Sequence, residues 1–139
     1  MIDDDANAND RHIVLDTNIL VSALLTPLGN PNTILQAILD GKVTIVYSAA
    51  IMAEYRSVLN RPRFAFDARD VADLLAFVEA FGDLADPDPS DAFMPDEADR
   101  PFYDVARESG AVLATGNEKH YPRFDGLMTP AGFILARRR

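Results

Sequence analysis

Arg11-His12-Ile13-Val14-Leu15-Asp16-Thr17-Asn18-Ile19-Leu20-Val21-Ser22-Ala23-Leu24-Leu25 is the stretch that decides the fold. Ile13, Val14 and Leu15 form a continuous β-prone run, the pattern of a central parallel strand covered on both faces. Asp16-Thr17-Asn18 breaks that run with three polar side chains. Ile19 to Leu25 resumes it with apolar residues on most sides, as a well-buried helix does. In an open α/β sheet, ligands sit outside the carboxyl ends of the strands, so a carboxylate at this point is placed for chemistry. Asp16 is equally the residue type that caps a helix. The rest of the chain has to separate the two roles.

The pattern continues outward as strands alternating with helices. Pro27 to Asn32 has turn chemistry, and Ile34, Leu35, Ile38 and Leu39 recur at helical spacing up to Gly41, a helix stop. Val43 to Tyr47 reads as a second strand. Ser48 caps a helix whose apolar face is Ile51, Met52, Tyr55, Val58 and Leu59, and Pro62 ends that pattern. Asp67, with Asp70 three residues on, opens another helix in a capping-box-like arrangement, lined by Val71, Leu74, Leu75, Val78 and Phe81 and stopped by Gly82. Residues 83–98 are Pro- and Asp-rich and read as a loop. Asp99 precedes a helix ending near Gly110, and Ala111 to Thr115 is a third core strand. Leu127-Met128 fits a short strand. Thr129-Pro130, a cap followed by proline at the first helical position, opens the last helix. This alternation predicts a single three-layer α/β/α domain with a mainly parallel central sheet. Residues 1–10 read as a flexible acidic tail, 11–136 as the folded domain and 137–139 as a basic end.

Composition narrows the function. The chain has 139 residues, 48% of them hydrophobic, which suits one domain with a proper core. It has no cysteine, which excludes disulfides, thiolate zinc sites and thiol nucleophiles. No apolar run reaches membrane-spanning length, and the start is acidic where a signal peptide is basic. A cytoplasmic protein without membrane contact is the expectation. The formal net charge is −9, which argues against simple nonspecific binding to phosphate backbones. It leaves room for an enzyme whose acidic site is filled by divalent cations. Seven acids and no base lie between Asp83 and Asp99 (Asp83, Asp86, Asp88, Asp91, Asp96, Glu97 and Asp99).

Three carboxylates stand out by position. Asp16 follows the first strand, Glu54 lies on the helix after the second, and Asp99 starts the helix before the third. Asn117, with Glu118 and His120, follows the third strand. In a parallel sheet several of these points converge at the carboxyl edge. Carboxylates brought together repel unless cations compensate them. Mg²⁺ and Mn²⁺ suit that role, because they take carboxylate oxygens and leave positions for a phosphate. Such ions polarise phosphoryl oxygens and support phosphodiester hydrolysis. Taken singly, Glu54 is equally an exposed helix acid, Asp99 an N-cap and Asn117 a turn residue. Only the arrangement points to a site.

That arrangement resembles the PIN-domain family, nucleases that serve as toxins in bacterial toxin–antitoxin pairs. Leu15-Asp16-Thr17-Asn18-Ile19-Leu20 resembles the family's opening motif. Ser48 to Tyr55 resembles its second motif, with Glu54 as the acid. Asp99 to Ala106 resembles its third, Leu113 to Pro122 its last, and Thr129-Pro130-Ala131-Gly132-Phe133 its closing segment. The likeness covers roughly residues 12–136 and rests on order and spacing rather than on any one motif. It implies a divalent-metal ribonuclease in which Asp16, Glu54 and Asp99 hold Mg²⁺ or Mn²⁺. Asn117 belongs to the catalytic group, and Thr17, Asn18, Thr115 and His120 orient substrate or site. It further implies an RNA substrate, a small antitoxin partner and a homodimer. Many relatives carry an aspartate within the last motif, where this chain has Asn117 and His120, so Asn117, His120 or Glu118 is left to make up the difference. Arg56, Arg61, Arg63, Arg100, Lys119 and Arg123 are the cations expected to frame a bound RNA.

Two other readings compete. One is a non-catalytic relative, a binding module with a weakened metal position. The other is phosphoryl transfer through an aspartyl-phosphate. Haloacid-dehalogenase-like phosphatases need a second Asp two residues after the first, where this chain has Asn18, and receiver domains need an acidic pair at the end of the first strand.

Overall fold

A computed structural model describes residues 11–138. The first strand, β1 (His12–Leu15), is the apolar run of the opening stretch, and Ile13, Val14 and Leu15 have no exposed surface. It leads at once into α1 (Thr17–Leu25) and then α2 (Asn30–Leu39). β2 (Thr44–Tyr47) is followed by α3 (Ala49–Leu59) and, after a 3-10 turn at Pro62–Phe64, by α4 (Ala68–Phe81). β3 (Asp83–Leu84), α5 (Arg100–Ser109), β4 (Val112–Ala114), β5 (Leu127–Met128) and α6 (Pro130–Arg137) complete the chain. The helix starts follow the caps legible in the sequence. Ser48 Oγ accepts the Ile51 N–H, Asp67 accepts from Arg69 and Asp70, and Thr129 Oγ1 accepts from Gly132. Each satisfies a first-turn N–H that the helix itself cannot.

Two expectations need correction. Residues 83–98 are not wholly loop, because Asp83 and Leu84 pair with Val46 and Tyr47 as a parallel edge strand. Both residues are exposed, so no hydrophobic pattern marks them. The turn expected over Pro27 to Asn32 ends early: α2 begins at Asn30, with Gly29 as its cap and Pro31 in its first turn, where proline costs nothing. The acidic tail expected over residues 1–10 lies outside the described residues.

The strand order is β3-β2-β1-β4-β5 and every pairing is parallel. The layers are those of a three-layer α/β/α domain. Right-handed crossovers explain them: the two steps from β1 to β2 and from β2 to β3 run in one direction, so their connections cross one face, with α3 packed against both α1 and α5. The return from β3 to β4 runs the other way and carries α5 across the opposite face, against β1, β2 and β4. Gly110, at φ 76°, ends α5 in the left-handed conformation that glycine adopts without penalty, one residue before β4's lead-in at Ala111. At Gly82 the need is space: a Cβ there would lie 2.6 Å from the Val78 carbonyl and 2.8 Å from that of Ile45.

The chain changes direction between β1 and β4. That is the topological switch point, where neighbouring connections leave towards opposite faces and open a crevice at the carboxyl ends of the strands. Asp16 leaves β1 there and Thr115 leaves β4. The ladder runs into the crevice through the Asp16 N–H, which donates to the Ala114 carbonyl at 3.0 Å.

Candidate active site

Asp16 is both the cap and the centre of the site. Its Oδ1 accepts the Asn18 N–H at 3.1 Å, closing the first turn of α1. Its Oδ2 accepts two hydroxyls, Thr115 Oγ1 at 3.1 Å and Tyr121 at 2.9 Å. Three hydrogen bonds thus occupy three of the roughly four lone-pair positions of the carboxylate. The remaining one is on Oδ1. The group is 8% exposed, and a buried carboxylate is tolerable only because it is hydrogen-bonded in this way.

The backbone beneath Asp16 is held as well. Tyr55, wholly buried on α3, donates its hydroxyl to the Leu15 carbonyl at 2.6 Å. Burial and the Asp16 charge push the phenols of both Tyr55 and Tyr121 well up, so both remain donors. Neither tyrosine is signalled by the sequence pattern. Tyr55 reads as one of the apolar residues of α3, and Tyr121 as part of a polar loop.

Asp99 is not the cap it resembles. Its side chain makes no cap hydrogen bond, and the turn before α5 (Glu97–Asp99) is capped instead by Asp96, which accepts the Ala98 N–H at 2.9 Å. The Asp99 carboxyl is therefore left over from secondary structure. It is pushed up to about 6, first by burial and then by the charges of Asp16, Asp96 and Glu54, with His120 acting in the opposite sense. Asp16, Glu54 and Asp99 thus share one electrostatic field. Glu54 itself is exposed on α3.

The loop after β4 closes the other side. The Asn117 N–H donates to Thr115 Oγ1, and its side-chain Oδ1 accepts the Lys119 N–H, which fixes the orientation of the amide. Nδ2 then faces His120 Nε2 at 3.0 Å. An amide nitrogen can only donate, so Nε2 is the acceptor and the imidazole proton sits on Nδ1. Nδ1 lies 4.0 Å from Asp99 Oδ2. Asn117, His120 and Asp99 thereby form one chain of contacts leading back to the acids. Thr115 turns its hydroxyl to Asp16, where it orients the carboxylate. Thr17 is buried, and its hydroxyl has no hydrogen-bond partner among the described residues.

The donor set is made of hard oxygens, suited to Mg²⁺ or Mn²⁺. Two observations fit such an ion: one open lone pair on Asp16, and a carboxyl at Asp99 driven towards protonation first by burial and then by its acidic neighbours. Among the described residues, however, no three Asp, Glu or His side chains are drawn together as a coordinating group. The acids are close enough to feel one another's charge but are not gathered. Glu54, exposed and with flexible side-chain torsions, has the freedom to swing in.

The cations expected around the site divide. Arg100 is committed to Glu97 through Nε at 2.8 Å and Nη2 at 2.6 Å, and to the Ser90 carbonyl at 2.7 Å, which takes it out of the set open to phosphate. Arg123 is 3.5 Å from Glu118, and Arg63 lies over the Phe64 ring. Arg56, Arg61 and Lys119 are exposed. No helix among the described residues is long and apolar enough to cross a membrane.

Comparison with known proteins agrees with this fold. A family profile described as PIN domain matches residues 12–119. An uncharacterized protein of Methanocaldococcus jannaschii is 30% identical over 109 residues, covering 76% of this chain and 70% of that protein. No solved structure matches significantly. With β1, the switch point and the three acid-bearing segments all inside the matched region, the chain belongs to the PIN domain family, whose members are typically nucleases.

Proposed function

We propose that the protein is a divalent-metal-dependent endoribonuclease that hydrolyses phosphodiester bonds in single-stranded RNA, as the toxin of a toxin–antitoxin pair. The observation that carries this reading is Asp16 at the switch point, its carboxylate fixed by three hydrogen bonds and in the same field as Glu54 and Asp99. Asp16, Glu54 and Asp99 would hold the metal. When bound, a divalent ion supplies Lewis-acid polarisation of a phosphoryl oxygen and of water. The chain's own residues do the rest. Asp16 offers one oriented oxygen, while Glu54 and Asp99 add charge that holds the cation. Asn117 retains a second amide proton with which to orient a phosphate. His120, on the same loop, carries its proton on the side facing Asp99. Single strands are favoured because unpaired bases can be splayed into a crevice, which a stacked duplex resists. The toxin reading carries with it a small antitoxin partner, with the nuclease itself as a homodimer.

A non-catalytic binding module is the second reading, favoured by Asn117 in place of an acid and by the ungathered acids. One experiment separates the two: incubation of labelled single-stranded and duplex RNA with the purified protein, with Mg²⁺ or Mn²⁺ and with chelator. Cleavage of single strands that stops in chelator supports the nuclease. Metal binding with no cleavage of any RNA tested supports the module, and cleavage that persists in chelator defeats both.

A further inference from the structure

Tyr121 lies on the loop after β4, outside every helix and strand, yet it is only 4% exposed. Packing alone would be served as well by phenylalanine, which has no hydroxyl to satisfy. Here the phenol points at one atom, Asp16 Oδ2, at 2.9 Å, and shares it with the Thr115 hydroxyl at 3.1 Å. An aspartate's terminal torsion is soft and roughly two-fold, so a carboxylate held at one oxygen alone still rocks between orientations. Two donors on Oδ2 and one on Oδ1 remove that freedom. We propose that Tyr121 is a positioning residue for Asp16: with Thr115 it clamps Oδ2, so that the carboxylate keeps one plane and offers only Oδ1 to a divalent cation. This rests on the metal-dependent reading of the site.

The consequence is an affinity effect rather than a packing effect. Groups that orient a metal ligand from behind typically cost ten- to a hundredfold in metal affinity when removed. The phenol also supplies its own reporter. The chain has four tyrosines and no tryptophan, so its near-ultraviolet spectrum is dominated by tyrosine. A cation taking charge from Asp16 weakens the acceptor of the Tyr121 hydrogen bond and perturbs that band.

The test is Mn²⁺ affinity by calorimetry together with the Mg²⁺-induced tyrosine difference spectrum, on wild type and four variants. Tyr121→Phe should bind Mn²⁺ about tenfold more weakly and lose most of the difference spectrum. Thr115→Val should also bind more weakly, and Thr115→Ser, which keeps the hydroxyl, should restore binding. Tyr47→Phe, which removes a phenol that reaches, among the described residues, only the Glu79 carbonyl, should match wild type in affinity. Wild-type affinity in a folded Tyr121→Phe overturns the clamp while leaving the metal reading intact. No Mn²⁺ binding by wild type overturns the metal reading and the clamp with it. If circular dichroism shows Tyr121→Phe unfolded, the Thr115 pair decides: equal affinities in Val and Ser variants overturn the proposal.

Discussion

Asp16→Asn separates the fold from the site, and its effect can be worked out atom by atom. An asparagine has one acceptor oxygen where aspartate has two. Two hydroxyls point at Oδ2 and one backbone N–H at Oδ1. The best arrangement puts the amide oxygen in place of Oδ2 and keeps both hydroxyl bonds. The amide NH₂ then faces the Asn18 N–H, donor against donor, and the cap of α1 is lost. Loss of a cap costs about 1 kcal/mol, within a range of roughly 0.5–2. Removing a negative charge from beside Asp99 returns part of that. The net change is on the order of 1 kcal/mol, a fall in Tm of a few degrees for a domain of this size. Divalent-cation binding should suffer far more. The only open lone pair of the carboxylate lies on Oδ1, the position the NH₂ takes over. A loss of about a hundredfold in Mn²⁺ affinity is expected, equivalent to about 2.8 kcal/mol. The assays are thermal unfolding in chelator and Mn²⁺ titration calorimetry on the same preparations. A variant that melts within a few degrees of wild type and binds Mn²⁺ equally well would refute the reasoning.

Other outcomes follow from the same geometry. Glu54→Gln should lower the rate of RNA cleavage about a hundredfold, as expected when one of several groups acting as a unit is removed. Asn117→Ala should cost less, since it removes no formal charge; single-turnover cleavage of a labelled RNA ranks the two. Charge reversal of Arg61 and Arg63 together should weaken RNA binding and flatten its dependence on salt, because a phosphate that no arginine neutralises keeps its counterion on binding; filter binding at several salt concentrations reads the slope. Asp99 gives a pH effect. Its carboxyl is raised from 3.8 to about 6 in the fold, so between those values the folded state holds more proton than the unfolded one, and stability falls as pH rises through that window. Metal-free protein should therefore resist urea better near pH 5 than at pH 7, and Asp99→Asn should shrink that difference.

Much of this was legible in the chain, for reasons that differ by element. β1, β2 and β4 are buried on both faces, so their apolar runs show regardless of partners. The caps at Ser48, Asp67 and Thr129 are local, each reaching an N–H two or three residues on. β3 was hidden because an exposed two-residue edge strand is held by backbone pairing alone, which leaves no trace in side-chain pattern. The start of α2 was hidden because Asn-Pro-Asn serves a turn and a helix N-terminus equally well. In the site, Asp16 and Asp99 were marked by their place between elements. Tyr121 and Tyr55 were not, because their hydroxyls reach partners 105 and 40 positions away in the chain. Asp96 caps the turn ahead of α5 while Asp99, at the head of that helix, makes no cap bond, and only the structure separates two acids three residues apart.

The most direct test of the metal-dependent site is diffraction from crystals soaked in Mn²⁺, recorded where manganese scatters anomalously. The expected result is a manganese peak at coordinating distance from Asp16 Oδ1, with Glu54 and Asp99 turned towards it. A peak away from Asp16, or none at saturating Mn²⁺, would contradict the assignment of these acids as a metal centre.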